Sequence, residues 1–302
     1  MLSALHLPAL SPTLPLSNAE SSLLCDRNYG IGGDGVIFAC TSPDKSLYDY
    51  EMRIHNSDGT EPEMCGNGVR VFAKYLHLLA STKALREGVP APSLPVTYRL
   101  KTGAGLIVPV VNADGTVTVD MGKPIFKPAD VPTTLPNNYD GEGGGVVLKE
   151  VDFGAQFGKF KVSCVSMGNP HCIIFVPDLS SIDVSVLGPR IERDLNLFPR
   201  KTNVEFVQVL SPQHLKMKVW ERGAGTTLAC GTGACALTVA AIRAGVIPKP
   251  MDGKGVKVSL PGGDLVIEWG RGQTDKNIYM TGGGDYVFEG TVVPGAGKKK
   301  TQ

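Results

Sequence analysis

Two short segments hold the residues with the clearest chemical potential: CGNG at 65–68 and CGTG at 230–233. After the first, Val69, Phe72, Leu76 and Leu79 recur at helical spacing, and after the second an apolar run predicts a helix from Thr232 to about Ala244. A cysteine just ahead of a helix faces unsatisfied backbone N–H groups and the positive end of the helix dipole. Both stabilise a thiolate and are expected to lower the thiol pKa. The glycines let bare amides approach a ligand, so each turn is also a ready carboxylate site. If the two turns face one bound carbon, Cys65 and Cys230 reach it from opposite sides, one as thiolate base and the other as thiol acid, and the stereocentre inverts. An amino-acid α-proton is far less acidic than a thiol, so the developing enolate needs the stabilisation that two helix N-termini can supply. The bland alternative is a small buried residue at a helix entry, the better reading for a lone cysteine. Two cysteines in matching turns favour chemistry.

The other five cysteines lack this setting. Cys40, Cys164 and Cys172 lie in apolar strand runs, Cys235 is one turn into a helix and Cys25 precedes a turn, so none is given a role. In SMGNPHC (166–172), His171 sits in a turn before an apolar strand, where it either satisfies the turn or tunes a nearby thiol. In WERGAG (220–225), Glu221 and Arg222 end a strand shortly before Cys230. Such charges are normally solvated, but here a carboxylate could adjust the thiol and an arginine could hold a substrate carboxylate in a two-pronged grip.

These residues must be positioned by the surrounding elements. Strand-like runs bounded by turn signals occupy 36–40, 50–56, 96–100, 105–111 and 116–121, and again 162–167, 172–176, 203–210, 215–221, 256–260 and 264–269. Each half reads as strands, a Cys-Gly-x-Gly turn, a helix, then strands. The fold class is therefore α+β, with two similar domains facing each other: residues 23–122 plus about 280–302, and residues 123–279. The Pro- and Gly-rich stretch 123–145 is the linker candidate. Residues 1–22, rich in Leu, Pro and Ser and free of Lys and Arg, are expected to be a disordered lead, with a transit peptide as the open alternative.

Composition removes several function classes. No run approaches the roughly 20 apolar residues of a membrane span. Thirty basic residues against 29 acidic leave a net charge of +1, and the one basic cluster is Lys298–Lys300, so nucleic acid is not an expected partner. Seven cysteines in a long chain do not make a disulfide framework and fit a reducing compartment. No Cys-x-x-Cys or His-Glu-x-x-His spacing points to a metal.

Taken together, RIHNSDGTEPEMCGNGVR (53–70), SMGNPHC (166–172), TNVEF (202–206) and WERGAGTTLACGTGACA (220–236) resemble diaminopimelate epimerase, in the expected order and over about residues 24–290. LCDRNYGIGGDGVIFA and HLKMKVWERGAG are most similar to the plant and algal form. The resemblance implies two pseudo-symmetric α+β domains, each a sheet wrapped around a central helix. It implies interconversion of LL-2,6-diaminopimelate and the meso form in lysine biosynthesis, with no cofactor and no metal. By motif, Cys65 and Cys230 would be the acid and base, and the amides of Gly66, Asn67, Gly231 and Thr232 would hold the reacting carboxylate. Asn56, Asn169, Asn203 and Arg222 would bind the distal end, with Glu221 also near substrate, and His171 and Glu221 would modulate the thiols. The expected partners are thus a small-molecule substrate, diaminopimelate, with no nucleic acid and no membrane, and a homodimer left open. The expected location is the plastid stroma if the source is a plant or alga, otherwise the cytoplasm.

One departure stands out: the family's opening strand and Gly-x-Gly-Asn-Asp-Phe motif have no match in residues 1–30, which implies an unpaired sheet edge and a lost substrate contact. Competing readings are a proline racemase-like isomerase, which would not need Asn56, Asn203 and Arg222, and a catalytically impaired or non-catalytic relative, against which both thiols argue. A pyridoxal-phosphate racemase is disfavoured, because no Schiff-base lysine is paired with a phosphate cup.

Overall fold

The structure, a computed structural model, describes residues 2–5, 16–251, 253–272 and 274–292. The chain forms two compact units, Met1–Val119 with Gly282–Gln302 and Asp120–Thr281.

The first unit contains β1 (Leu2–Leu5), α1 (Asn18–Cys25), β2 (Gly35–Thr41), β3 (Tyr50–Asn56), α2 (Gly66–Glu87), β4 (Val96–Thr97), β5 (Leu100–Thr102), β6 (Gly105–Ile107), β7 (Val110–Val111) and β8 (Val117–Asp120). One sheet runs β1-β2-β3-β5-β6, and β4, β7 and β8 pair in that order. The expected strands at 96–100 and 105–111 each divide in two. Pro109 has no N–H to give to a ladder, and its carbonyl takes the Tyr98 amide where the chain leaves one sheet for the other. Helix α2 buries Val69, Phe72, Ala73 and Leu76, the stripe that the spacing predicted, and contacts β1, β2, β3 and β7. It ends at Gly88 in the left-handed conformation, with the Gly88 amide on the last carbonyls.

Two expectations about the amino-terminal region change. Residues 18–22, expected to be a disordered lead, open α1, because Ser17 and Glu20 form a capping box that satisfies two backbone donors at the helix start. The helix is then held from the sheet: Ser21 Oγ and His55 Nδ1 lie 2.8 Å apart, both residues buried, and Leu24 and Cys25 pack with Val36, Phe38 and Cys40. The sheet edge expected to be unpaired is covered, because β1 lies parallel to β2 with Leu2 opposite Gly35 and Leu5 opposite Phe38. Ladder pairing needs only backbone N–H and C=O groups, so it does not require the absent motif. Residues 6–15 and the basic Lys298–Lys300 cluster lie outside the described residues.

The second unit contains β9 (Val146–Asp152), β10 (Lys159–Ser166), β11 (Pro170–Phe175), α3 (Val184–Glu192), β12 (Asn203–Ser211), β13 (His214–Glu221), β14 (Gly225–Thr226), α4 (Gly231–Arg243), β15 (Val256–Leu260), β16 (Gly263–Trp269) and β17 (Ile278–Gly282). Its strands run in the order β9-β10-β11-β12-β13-β15-β16-β17, with β14 added to β13. Helix α4 contacts β10, β11, β12, β13, β15 and β16, so the sheet wraps around it. That placement depends on side-chain size: Ala234, Cys235, Ala236, Ala240 and Ala241 are fully buried and let strands approach on every side.

The linker candidate 123–145 is a packed segment of this unit, not a linker. Val131 and Leu135 enter a core cluster with Phe153, Phe198 and Phe206, and Thr133 donates to the Leu197 carbonyl at 2.8 Å. Its prolines and glycines preclude a regular element but not burial. Helix α3 was hidden by Gly188 and Pro189, both poor helix residues. Gly188 is required there by Trp220, since a Cβ at 188 would stand 2.5 Å from the Trp220 side chain. Gly188→Ala, which ordinarily stabilises a helix by up to about 1 kcal/mol, should here destabilise the unit by about 1–3 kcal/mol through overpacking. Thermal unfolding followed by tryptophan fluorescence checks the sign, and a raised midpoint would contradict the packing argument.

Candidate active site

Both Cys-Gly-x-Gly turns place their cysteine at a helix N-cap. Cys65 precedes α2 with φ −139° and ψ 113°, and Cys230 precedes α4 with φ −127° and ψ 103°. Neither side chain caps its helix as a Ser, Thr, Asp or Asn would. The first-turn amides at Gly66 and Asn67, and at Gly231 and Thr232, have no acceptor within their helices and can take an external carboxylate. In the first unit Asn67 Oδ1 is buried with no hydrogen-bond partner among the described residues. Asn56 closes β3 opposite Gly35 and donates from Nδ2 to Thr60 Oγ1 at 2.9 Å.

The second unit gathers more of the predicted residues. His171, at the start of β11, is fully buried, and its Nδ1 lies 2.6 Å from Oε1 of the equally buried Glu205 on β12. Asn169 Nδ2 donates to Thr232 Oγ1 at 3.2 Å, which turns Asn169 Oδ1 to His171 Nε2 at 3.0 Å. With the amide so turned, His171 Nε2 is placed to donate to Asn169 Oδ1, and Nδ1 shares a hydrogen bond with the Glu205 carboxyl. The Thr232 oxygen accepts from Asn169, so its own proton is available to Cys230 Sγ, 3.6 Å away. One donor atom from each of His171, Glu205 and Cys230 lies within 4.8 Å of the other two. Both ring nitrogens of His171 are engaged, which leaves no ring lone pair for a cation.

The electrostatics of Cys230 run against the sequence expectation of a lowered pKa. Burial, first, and then the carboxylates of Glu221 and Glu205 push the Cys230 thiol well above its ordinary value, while the Thr232 hydroxyl and the Gly233 amide pull the other way. Desolvation outweighs the helix dipole, because a thiolate is disfavoured in a site only 4% exposed. Burial likewise raises the Glu205 carboxyl, with His171 opposing.

The remaining predicted residues lie around the end of β13. Asn203 is buried, donates to the Pro170 carbonyl at 2.8 Å and accepts the Arg222 amide at 2.9 Å, so it ties β11 and β12 to the turn carrying Arg222. The Arg222 guanidinium is exposed and donates to the Arg200 carbonyl at 3.1 Å. Glu221 accepts from the Thr227 hydroxyl. The turn is fixed from beneath by Glu192, a buried carboxylate that accepts from Trp220 Nε1 at 2.8 Å and from the Gly223 amide at 3.1 Å. Sequence reasoning missed both Glu192 and Glu205. Glu205 left a signal, a lone acid inside the apolar strand run NVEFVQVL. Glu192 left none, because α3 itself was not anticipated.

Comparison with known proteins places this architecture. Among solved structures the chain matches a probable proline racemase from Agrobacterium radiobacter K84 with a TM-score of 0.59 and 15% identity, over 97% of this chain and 89% of that one, a likeness of fold. The fold class is one shared with racemases and epimerases, and the protein is an isomerase. The family model for diaminopimelate epimerase matches residues 13–127 and 163–287. A diaminopimelate epimerase from Trichodesmium erythraeum is 48% identical over 279 residues, 92% of this chain and 91% of the relative. A chloroplastic diaminopimelate epimerase from Oryza sativa subsp. japonica is 46% identical over 280 residues, 91% of this chain and 72% of the relative. The chain belongs to the diaminopimelate epimerase family. Among the described residues no helix is long and apolar enough to cross a membrane.

With its pKa raised, the Cys230 thiol should remain protonated through neutral pH and ionise only above the ordinary thiol range. The difference between the wild-type and Cys230→Ser thiolate absorbance titrations isolates this group; a difference signal already complete at pH 7 would contradict the electrostatic account.

Proposed function

We propose that Cys65 and Cys230 are the acid and base with which this epimerase interconverts LL- and meso-diaminopimelate. The observation that carries the reading is the matched placement of the two thiols, each an N-cap in near-identical extended conformation ahead of a helix that it leaves uncapped. A substrate α-carboxylate would be held by the amides of Gly66, Asn67, Gly231 and Thr232, which bear the positive ends of the helix dipoles. One thiolate removes the α-proton, the enolate charge falls on the carboxylate among those amides, and the other thiol delivers a proton to the opposite face. Atoms and charge balance with no further reactant. Thiolate and thiol have exchanged places, and the enzyme returns to its starting form when the reverse reaction or a proton exchange resets it.

The distal amino-acid end would be selected by Asn56, Asn169, Asn203 and Arg222, with His171 and Glu221 acting on the thiols. The exposed guanidinium of Arg222 supports a carboxylate partner there, and its placement depends on Asn203 and Glu192. The likeness to a cyanobacterial and to a rice chloroplastic relative supports the plastid stroma as the site of action in a plant or alga, and the cytoplasm otherwise.

Replacing either thiol by serine should reduce turnover by about 10²–10⁴-fold, since a hydroxyl is a far weaker acid and base partner. Solvent deuterium should enter the α-position without added pyridoxal phosphate. Near wild-type turnover in Cys65→Ser would reject the two-thiol chemistry, and equal efficiency on proline would favour a proline racemase-like specificity. The reading also requires both thiols to come within reach of one carbon. Mild oxidation should therefore join Cys65 to Cys230 and abolish activity, with recovery on reduction; peptide mapping that finds both thiols unlinked in the inactivated protein would count against it.

A further inference from the structure

Glu205 has no place in the substrate-contact set, yet it is fully buried and held by His171. A side chain at position 233 would put its Cβ 2.8 Å from Glu205 Oε1 and 3.2 Å from Cys230 Sγ. The second glycine of this turn therefore leaves room for a carboxylate and a thiol side by side, with donor atoms of the two within 4.8 Å. At the matching position in the first unit, a Cβ at Gly68 would meet Ile37 and Ile54 side chains at 3.3 and 3.4 Å, an aliphatic floor. The two turns share a sequence pattern but not a setting.

From Glu205 a continuous chain of hydrogen bonds leads back to the sulfur: Glu205 Oε1 to His171 Nδ1, His171 Nε2 to Asn169 Oδ1, Asn169 Nδ2 to Thr232 Oγ1, and Thr232 Oγ1 to Cys230 Sγ. Asn169 donates to Thr232, whose own proton can then be given to sulfur, and must be the one in the Thr232–Cys230 hydrogen bond once the sulfur is a thiolate with no proton of its own. Glu205 Oε2, also buried, has no hydrogen-bond partner among the described residues.

We propose that Glu205 is a positioning residue of the epimerisation: it anchors His171, through which the side chains of Asn169 and Thr232 are oriented so that the Thr232 hydroxyl donates to the Cys230 thiolate when it forms, while its own carboxyl stands within 4.8 Å of that sulfur. The proposal rests on the reading of Cys230 as a catalytic thiol and adds Glu205 and the Thr232 hydroxyl to it. The groups facing Cys230 are Glu205 from β12, His171 from β11, Glu221 from β13 and Thr232 from α4. Two carboxyls oppose charge on the sulfur, and the Thr232 hydroxyl and the Gly233 amide favour it. That balance keeps Cys230 protonated at rest yet gives its thiolate a donor once formed, and it makes the thiolate a stronger base than an exposed one.

The test uses the whole chain with Glu205→Gln, Thr232→Val and Thr232→Ser. Folding is checked by circular dichroism, Cys230 ionisation by the difference titration against Cys230→Ser, and turnover by the pH profile of kcat. Glu205→Gln should move the Cys230 midpoint down, giving about tenfold more thiolate at a given pH, and lower kcat by about tenfold or more. Thr232→Val should move the midpoint up and lower kcat, and Thr232→Ser, which keeps the hydroxyl, should restore both. A folded Glu205→Gln protein whose Cys230 titration overlays the wild type would overturn the proposal, because a merely structural carboxylate would change stability and not the midpoint. If Glu205→Gln does not fold, Thr232→Val and Thr232→Ser decide alone, and equal midpoints in the two would overturn it. Full turnover in Cys230→Ser would remove the underlying reading, a result separate from any shift in the titrations.

Discussion

A helix that begins on a cysteine has an unmet need at its start, and much of this protein follows from that need. Serine, threonine, aspartate or asparagine would satisfy the first-turn amides from the N-cap, but a thiol is a weak acceptor and the side chains of Cys65 and Cys230 do not do so. The amides therefore remain directed at whatever anion approaches, beside a group able to carry a proton. Glycine must follow so that this backbone is accessible. The helix behind must be held by packing, since a terminus without a cap forgoes about 1 kcal/mol of local support. Both helices meet that condition by burial: α2 through Val69, Phe72, Ala73 and Leu76, and α4 through alanines that let six strands close around it.

The repeat of the motif does not make the two sites copies. In the first unit the turn rests on isoleucine side chains, while in the second it rests on a carboxylate hydrogen-bonded to a histidine. Burying Glu205 and His171 at 0% exposure is tolerable because each supplies what the other lacks, and because Asn169 and Thr232 extend the same network to the thiol. An apolar pair in their place would pack without any polar group to satisfy. The polar cluster instead connects through Asn169 and Thr232 to Cys230.

Much of this was legible in the sequence, and the reasons for the remainder are specific. The paired turns, the helices behind them and most of the strands announce themselves by period and by turn residues. So do His171, Asn169 and Thr232, which lie in motifs of distinctive composition. Helix α1 is announced only by Ser17 and Glu20, a cue easily lost in a Leu- and Pro-rich lead. Helix α3 contains Gly188 and Pro189, which local propensity rejects and which Trp220 and the surrounding core accept. Segment 123–145 reads as a linker because no regular element can form there, yet Val131 and Leu135 are buried, and burial is a property of neighbours the sequence does not display. The direction of the Cys230 shift failed for the same reason. The helix dipole is local and visible in sequence, whereas desolvation and the carboxylates of Glu205 and Glu221 are not.

The same reasoning bears on substrate selection. A guanidinium on a turn can fork around a carboxylate only if the turn is stiff, because each torsion left loose must be frozen on binding. Here the Arg222 amide is fixed by Asn203, the Gly223 amide by Glu192, and the preceding Trp220 indole by the same Glu192 carboxylate. Trp220 in turn lies against Gly188 of α3. The backbone of the turn is thus held from two directions before any ligand arrives, while the guanidinium stays exposed with one contact to the Arg200 carbonyl. The turn also carries Glu221, one of the carboxylates that raise the Cys230 thiol, so the stiffness that presents Arg222 also sets the position of that charge. A change in Glu192 should therefore appear in substrate affinity and, because Glu221 lies between Trp220 and Gly223, in the Cys230 titration as well.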